Sequence, residues 1–267
     1  MAELTALPAP VVTLKNVSLS HGRGGQGTPV LTGITLSLRR GEFVAVLGPS
    51  GAGKSTLLRI VMGLLKPGTG TVELSGTNGK GRRIAALVFQ DAKLLPWRRV
   101  LGNVTFGLEG LGLSLAEREA RARAALALVG LAEHAERWPR ELSGGQRQRV
   151  GVARALTVDP DLLLMDEPFG ALDAITRSDL QEELLRIWQQ TGKTVLFVTH
   201  DIDEALLLAD RVIVLGGKPA TIRSDLVVGP RPRDRGDPRM AQLVLRLRAL
   251  IAGDRAPPPD GWIASDI

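Results

Sequence analysis

The chain has 267 residues, is 44% hydrophobic and 23% charged, carries a formal net charge of +6, and contains no cysteine and no tyrosine. That length allows one or two domains with a packed core, and the missing cysteines exclude disulfides, thiolate metal sites and a cysteine nucleophile. The arginines are interspersed with acids and form no long basic run with aromatics, so the charge does not argue for a nucleic-acid partner, whereas it suits work near an anionic membrane leaflet.

Residues 1–10 have neither the basic start nor the apolar core of a secretory signal and read as a disordered lead-in. Residues 11–20 alternate in part (Val12, Leu14, Val17, Leu19), as do 30–38 (Leu31, Ile34, Leu36, Leu38). With the glycine-rich 22–28 as the turn, they predict an antiparallel hairpin. Residues 43–47 are an apolar run leading into a glycine loop, and 55–64 carry helical spacing (Leu57, Leu58, Val61). Strands follow at 71–74 and 84–89, then a helix at 115–131 and another at 146–156. Residues 162–165 form a short apolar strand, and 178–190 an amphipathic helix with Leu180, Leu184, Leu185 and Trp188 on one side. A strand at 194–199, a helix at 201–209 and a strand at 211–215 complete the alternation, which predicts an α/β fold with a mostly parallel sheet. The longest apolar runs have strand length, far below the ~18 residues of a membrane span.

Three segments carry chemistry. Gly48-Pro49-Ser50-Gly51-Ala52-Gly53-Lys54-Ser55 fits the phosphate-loop pattern at each fixed position, between a strand and a helix as that motif requires. Its glycines let backbone N–H groups converge on phosphate oxygens, Lys54 adds a point charge, Ser55 offers a hydroxyl to Mg²⁺, and the helix that follows, through Thr56, adds its dipole. Asp166 and Glu167 end an apolar strand, an arrangement that holds a metal ion through Asp166 and polarises a water through Glu167. Two acids at a strand end are otherwise a solvated turn; the glycine loop decides between these readings. Leu142-Ser143-Gly144-Gly145-Gln146 offers Ser143 as a cap for a helix starting near Gly145, with two glycines that leave first-turn N–H groups open to an anion.

With these segments in this order, the chain resembles the ATP-binding subunit of an ABC transporter over about residues 11–216. Gln90 is similar to that family's glutamine loop, Ala171-Leu172-Asp173 to the loop that communicates across its dimer, and His200 to its switch histidine. The resemblance implies a phosphate-loop NTPase fold of the ABC ATPase type, with an N-terminal antiparallel β-subdomain and an inserted helical subdomain over about 91–157. Residues 11–230 would be the ATP-binding domain and 231–267 an Arg/Pro-rich linker and tail, with a short helix at 240–251. It further implies catalytic roles for Glu167, His200, Gln90 and Lys54, and Mg²⁺ held by Ser55, Gln90 and Asp166. ATP would lie between the glycine loop of one subunit and Ser143, Gly144, Gly145, Gln146 and Asp173 of a second, in a head-to-tail dimer, most simply of identical chains.

Within the family, Leu94-Leu95-Pro96-Trp97-Arg98 with Asn103-Val104, and the run 167–174, are similar to importer ATPases for nitrate, sulfonates and taurine. That implies two transmembrane permease subunits, an indirectly coupled periplasmic binding protein, and a place on the cytoplasmic face of a bacterial inner membrane, with 94–97 exposed near the permease. A soluble ABC-type ATPase acting on nucleic acid or ribosomes stays open as the alternative, although the long coiled-coil insertion or second cassette of such proteins is missing. The family stacks adenine on an aromatic residue, often tyrosine, ahead of the glycine loop. This chain offers only His21 there, which implies weaker adenine selectivity, since imidazole stacks less well than the ~1–3 kcal/mol of an aromatic ring.

Overall fold

The computed structural model describes residues 9–21, 27–76, 79–231, 233 and 238–253. Of the lead-in expected over 1–10 and the turn expected over 22–28, residues 1–8 and 22–26 lie outside the described residues, as does the proline-rich tail past 253, while Pro10 and Thr28 already belong to strands. The elements are β1 (Pro10–His21), β2 (Thr28–Arg39), β3 (Phe43–Leu47), α1 (Lys54–Val61), β4 (Thr69–Leu74), β5 (Ala85–Val88), α2 (Val100–Phe106), α3 (Leu115–Leu128) and α4 (Gly144–Leu156). There follow β6 (Leu162–Asp166), α5 (Ala174–Thr191), β7 (Thr194–Thr199), α6 (Ile202–Leu208), β8 (Arg211–Gly216), β9 (Thr221–Val227) and α7 (Pro238–Ala252).

The main sheet runs β5-β6-β7-β3-β8-β9. Its first five strands are parallel and β9 closes the edge antiparallel to β8. Parallel strands are covered on both faces, which is why β3, β6 and β7 are nearly continuous apolar runs. Their side chains still alternate between two cores. Phe43, Ala45, Leu163, Met165, Val195 and Phe197 point to the core shared with α2 to α5. Val44, Val46, Leu162, Leu164, Leu196 and Val198 point to the core shared with α1 and the second sheet. The order of strands therefore puts the C-terminal ends of β3, β6 and β7 side by side, and the three loops that follow them meet there.

The second sheet, β2-β1-β4, is antiparallel. Leu14 pairs with Leu36 and Val17 with Ile34, with a register shift between them. Asn16, at φ 50, takes up that shift, so the buried positions pass from Leu14 to Val17 rather than to Asn16.

Some elements differ from the sequence expectation. Helix α5 begins at Ala174, not 178, because Asp173 caps it: Asp173 Oδ1 accepts from Thr176 N at 3.0 Å. Helix α3 stops at Leu128, two residues before Gly130 at φ 68. Strand β9 was not anticipated, since Thr221–Val227 is polar on alternate positions and half-exposed, as suits a sheet edge. Helix α7 agrees with the short helix expected over 240–251, and it is packed: Leu247 is fully buried, and Met240, Leu243 and Val244 pack on the larger core. The segment before it is anchored as well. Arg231 stacks 4.4 Å from the Trp188 ring, and Arg233 donates to the carbonyls of Leu206 at 2.7 Å and Gly229 at 2.8 Å.

Candidate active site

The glycine loop connects β3 to α1. Lys54, the first residue of α1, is buried, and its Nζ donates to the carbonyls of Gly48 at 2.9 Å and Pro49 at 3.1 Å. The ammonium thus closes the loop on itself, and Ala52 N adds a turn bond to Pro49 O at 3.1 Å. Gly53 must be glycine: its φ is 76, and a Cβ there would lie 2.7 Å from Leu31 Cδ2. Ser50 and Gly51 are exposed at the loop's tip, while Ser55 and Thr56 sit half-buried in the first turn of α1, where unpaired N–H groups and the helix dipole favour an anion.

The end of β6 faces that loop. Ser55 Oγ donates to Asp166 Oδ1 at 2.8 Å. Burial pushes the Asp166 carboxyl above the usual carboxylate range, against the Ser55 bond and with some help from the Glu167 charge. Glu167 Oε1 lies 3.3 Å from Lys54 Nζ, and Oε2 lies 3.0 Å from His200 Nδ1. A carboxylate only accepts, so the proton between them sits on Nδ1. Glu167 itself is at φ 46, a left-handed conformation that costs a non-glycine residue about 1–2 kcal/mol. Its N–H donates to Val198 O at 2.9 Å and its carbonyl accepts from Gly170 N at 3.1 Å, which hold that turn in place. Pro168, which disfavours the right-handed helical region at Glu167, works in the same direction.

Five of the expected residues therefore converge: Lys54, Ser55, Asp166, Glu167 and His200. Gln90 follows β5 two residues past Val88, whose partner is Met165, so it lies alongside Glu167. Its amide nitrogen takes the space that a side chain at Gly170 would need, 2.9 Å from the position of a Cβ there. Residues 143–146 are held by partners outside the glycine loop. Their contacts are Leu172, Thr176 and His134. Ser143 caps α4 in a capping box: its Oγ accepts from Gln146 N at 3.2 Å and Gln146 Oε1 accepts from Ser143 N at 2.9 Å. One first-turn N–H that the sequence left open is thus already engaged. His21 is exposed at the end of β1 and pairs with Thr28, just ahead of Val30 and Leu31, which lie against Gly53.

Three supporting residues, Thr176, His134 and Gln148, were given no role by the sequence, and a fourth, Asn103, stood there only as part of a motif. Thr176 packs against Gly145 so tightly that a Cβ at Gly145 would stand 2.4 Å from its methyl. His134 Nε2 meets Gln146 Nε2 at 3.1 Å. Gln148 Nε2 donates to Phe89 O at 2.8 Å, tying α4 to the residue before Gln90. Asn103, fully buried, folds the 94–99 corner: its Oδ1 accepts from Leu95 N at 2.6 Å, and its Nδ2 donates to Leu95, Arg98 and Arg99 carbonyls. Trp97 is left 70% exposed on that corner. In the sequence only the pairing of 94–98 with Asn103-Val104 pointed to this corner.

The donor set suits magnesium. A hydroxyl and a carboxylate are hard oxygen ligands, and the buried Asp166, held above its ordinary pKa, is a place where a cation relieves an electrostatic cost.

The ABC transporter family profile matches residues 31–170. The chain is 52% identical over 219 residues to a taurine import ATP-binding protein of Pseudomonas aeruginosa, covering 81% of this chain and 83% of that protein. It is 50% identical over 233 residues to an aliphatic sulfonates import ATP-binding protein of a Mycobacterium species, covering 86% and 89%. The dimeric post-hydrolysis structure of an ATP-binding cassette with ADP and Pi superposes with a TM-score of 0.69 at 34% identity, over 82% of this chain and all of that one. With the glycine loop, the Asp166-Glu167 strand end and the capped Ser143 helix in one mixed-sheet fold, this chain belongs to the ABC transporter family as an ATP-hydrolysing subunit.

Proposed function

We propose that this chain is the energy-coupling ATPase of a bacterial importer for a small sulfonate of the taurine class. The observation that carries the hydrolytic half is Glu167, fixed between Lys54 and His200 at the end of β6. The identity to import subunits for taurine and aliphatic sulfonates supports the importer half.

In this reading the loop from Gly48 to Thr56 binds the phosphates of ATP, and Lys54 leaves the Gly48 and Pro49 carbonyls, or shares them, to meet the β- and γ-phosphates. Ser55 and Asp166, with Gln90 beside them, would hold Mg²⁺, which would supply neutralisation of phosphate charge. His200 holds the Glu167 carboxylate through its Nδ1–H. Glu167 accepts a proton from a water as that water's oxygen bonds to the γ-phosphorus. The bond to the bridging oxygen breaks, leaving ADP and inorganic phosphate. Ser143, Gly144, Gly145, Gln146 and Asp173 have no role toward their own glycine loop, so they serve the nucleotide of a second subunit in a head-to-tail pair. His21 lies against the adenine.

The groove between α2, α4 and β5, of about 460 Å³ and lined by Phe89, Leu95, Phe106 and Arg154, would receive a permease helix on the cytoplasmic face of the inner membrane. Phe89 is 41% exposed in it and is bonded to α4 through Gln148. Exposed aromatic surface next to Gln90 joins the permease to the nucleotide site by two residues of chain.

The test is reconstitution with a permease and a binding protein from the same organism, taken first from any encoded beside its gene. ATP hydrolysis stimulated by binding protein loaded with taurine or another small sulfonate is expected. Stimulation by none of them, with the chain sedimenting on ribosomes or nucleoid, overturns the reading.

A further inference from the structure

Glu204, the third residue of α6, is only 6% exposed, and the hydrolytic scheme above gives it no task. A carboxylate is rarely buried this far without partners. Thr199 Oγ1 donates to Glu204 Oε2 at 2.6 Å, and the same hydroxyl oxygen accepts from Asp201 N at 3.0 Å. Thr199 and Asp201 flank His200. The hydroxyl that Glu204 orients therefore fixes the backbone on both sides of the ring that reaches Glu167.

The other carboxylate oxygen looks toward α5. Glu204 Oε1 accepts from Gln181 Nε2 at 3.4 Å and lies 4.0 Å from Arg177 Nε. Arg177 also donates to Leu172 O at 3.2 Å and stands 3.8 Å from Asp201 Oδ2. Leu172 precedes Asp173, which caps the helix carrying Arg177 and Gln181. One line of contacts thus runs from the exposed Asp173 segment through Arg177, Glu204 and Thr199 to His200 and Glu167. Burial holds the Glu204 carboxyl above its usual range, with the Asp201 charge adding to it, against the Thr199 bond and the Arg177 charge. The group is thus kept at an electrostatic cost, for which its contacts supply a reason.

We propose that Glu204 is a positioning residue that ties the segment of His200 to the segment of Asp173, so that a contact made at Asp173 by a second subunit sets the aim of His200 at Glu167. This rests on the roles proposed above for Glu167, His200 and Asp173.

The experiment is steady-state ATP hydrolysis by Glu204→Ala and Glu204→Gln, normalised to protein that binds nucleotide, with His200→Ala alongside. Glu204→Ala is expected to lower kcat about tenfold with the KM for ATP within about twofold, and Glu204→Gln, which still accepts from Thr199, to restore most of kcat. An unchanged kcat in Glu204→Ala, or a Glu204→Gln as slow as Glu204→Ala, overturns the inference. Where Glu204→Ala does not fold, Arg177→Met at a one-third exposed side chain decides: a drop of about threefold in kcat at constant KM supports the link, and no drop overturns it. If His200→Ala itself keeps full activity, the reading of the hydrolytic site fails instead.

Discussion

Glu167 and His200 meet across the ends of neighbouring strands, Oε2 to Nδ1 at 3.0 Å. Glu167 ends its strand in a left-handed turn, and His200 follows a strand whose Val198 carbonyl accepts the Glu167 N–H. The proposed base and the group proposed to aim it are thus fixed by one shared strand pairing, so a substitution at Glu167 that keeps its shape leaves the frame in place.

Glu167→Gln keeps the shape and removes the proton acceptor. It is expected to bind ATP with near wild-type affinity and to hydrolyse it about 10²–10³-fold more slowly, accumulating as an ATP-bound dimer on size exclusion. Turnover at the wild-type rate removes Glu167 from the base role.

Gly145→Ala puts a methyl where Thr176 Cγ2 already stands, 2.4 Å away. Helix α5 or α4 must shift, at a cost of about 1–3 kcal/mol in unfolding free energy. Thr176→Ser removes the obstructing methyl and keeps a hydroxyl for Asp173 Oδ2, now bonded at 2.7 Å. The double variant is expected to recover most of the denaturation midpoint lost in the single one. Equal midpoints for wild type and Gly145→Ala contradict the packing argument.

Asp166 is a carboxyl whose folded pKa lies above its unfolded value because of burial. The folded chain therefore binds the extra proton, and stability falls as pH rises from the unfolded pKa to the folded one, then stays lower. Asp166→Asn, which still accepts from Ser55, is expected to raise the melting midpoint of the nucleotide-free chain at neutral pH. The gain disappears as pH falls through the folded pKa. The same variant is expected to lose Mg²⁺-dependent hydrolysis by more than about a hundredfold. A lower midpoint at neutral pH reverses the sign of the burial argument.

His21→Ala is expected to weaken ATP binding by a few-fold and GTP binding less, in line with an imidazole contribution below the ~1–3 kcal/mol of aromatic stacking. Fluorescent-nucleotide displacement measures both. Identical affinities before and after the change leave adenine without a partner at this position.

Much of this site is legible in sequence because its parts are local: a glycine loop between a strand and a helix, two acids at a strand end, a serine before a helix. Each has a short-range reason for its spacing. What the sequence hides is the set of contacts made between segments far apart in the chain. Nothing local marks Thr176 as the neighbour of Gly145, or Gln148 as the anchor of Phe89. Strand β9 escaped notice because an edge strand needs little apolar surface, and the arginines at 231 and 233 looked like solvated linker because composition does not record where a guanidinium ends up.

Those two arginines complete a helix they do not belong to. Helix α6, which begins one residue after Asp201, has no basic residue in its last turn, yet Arg231 donates to the Leu208 carbonyl and Arg233 to those of Leu206 and Leu207. The orphan carbonyls and negative end of its dipole are answered from a segment 23 residues further along the chain. Chimeras that exchange C-terminal segments between relatives would therefore change the electrical termination of the helix after His200. An exchange that carries no arginine into this position would need a basic residue in α6 itself to end that helix.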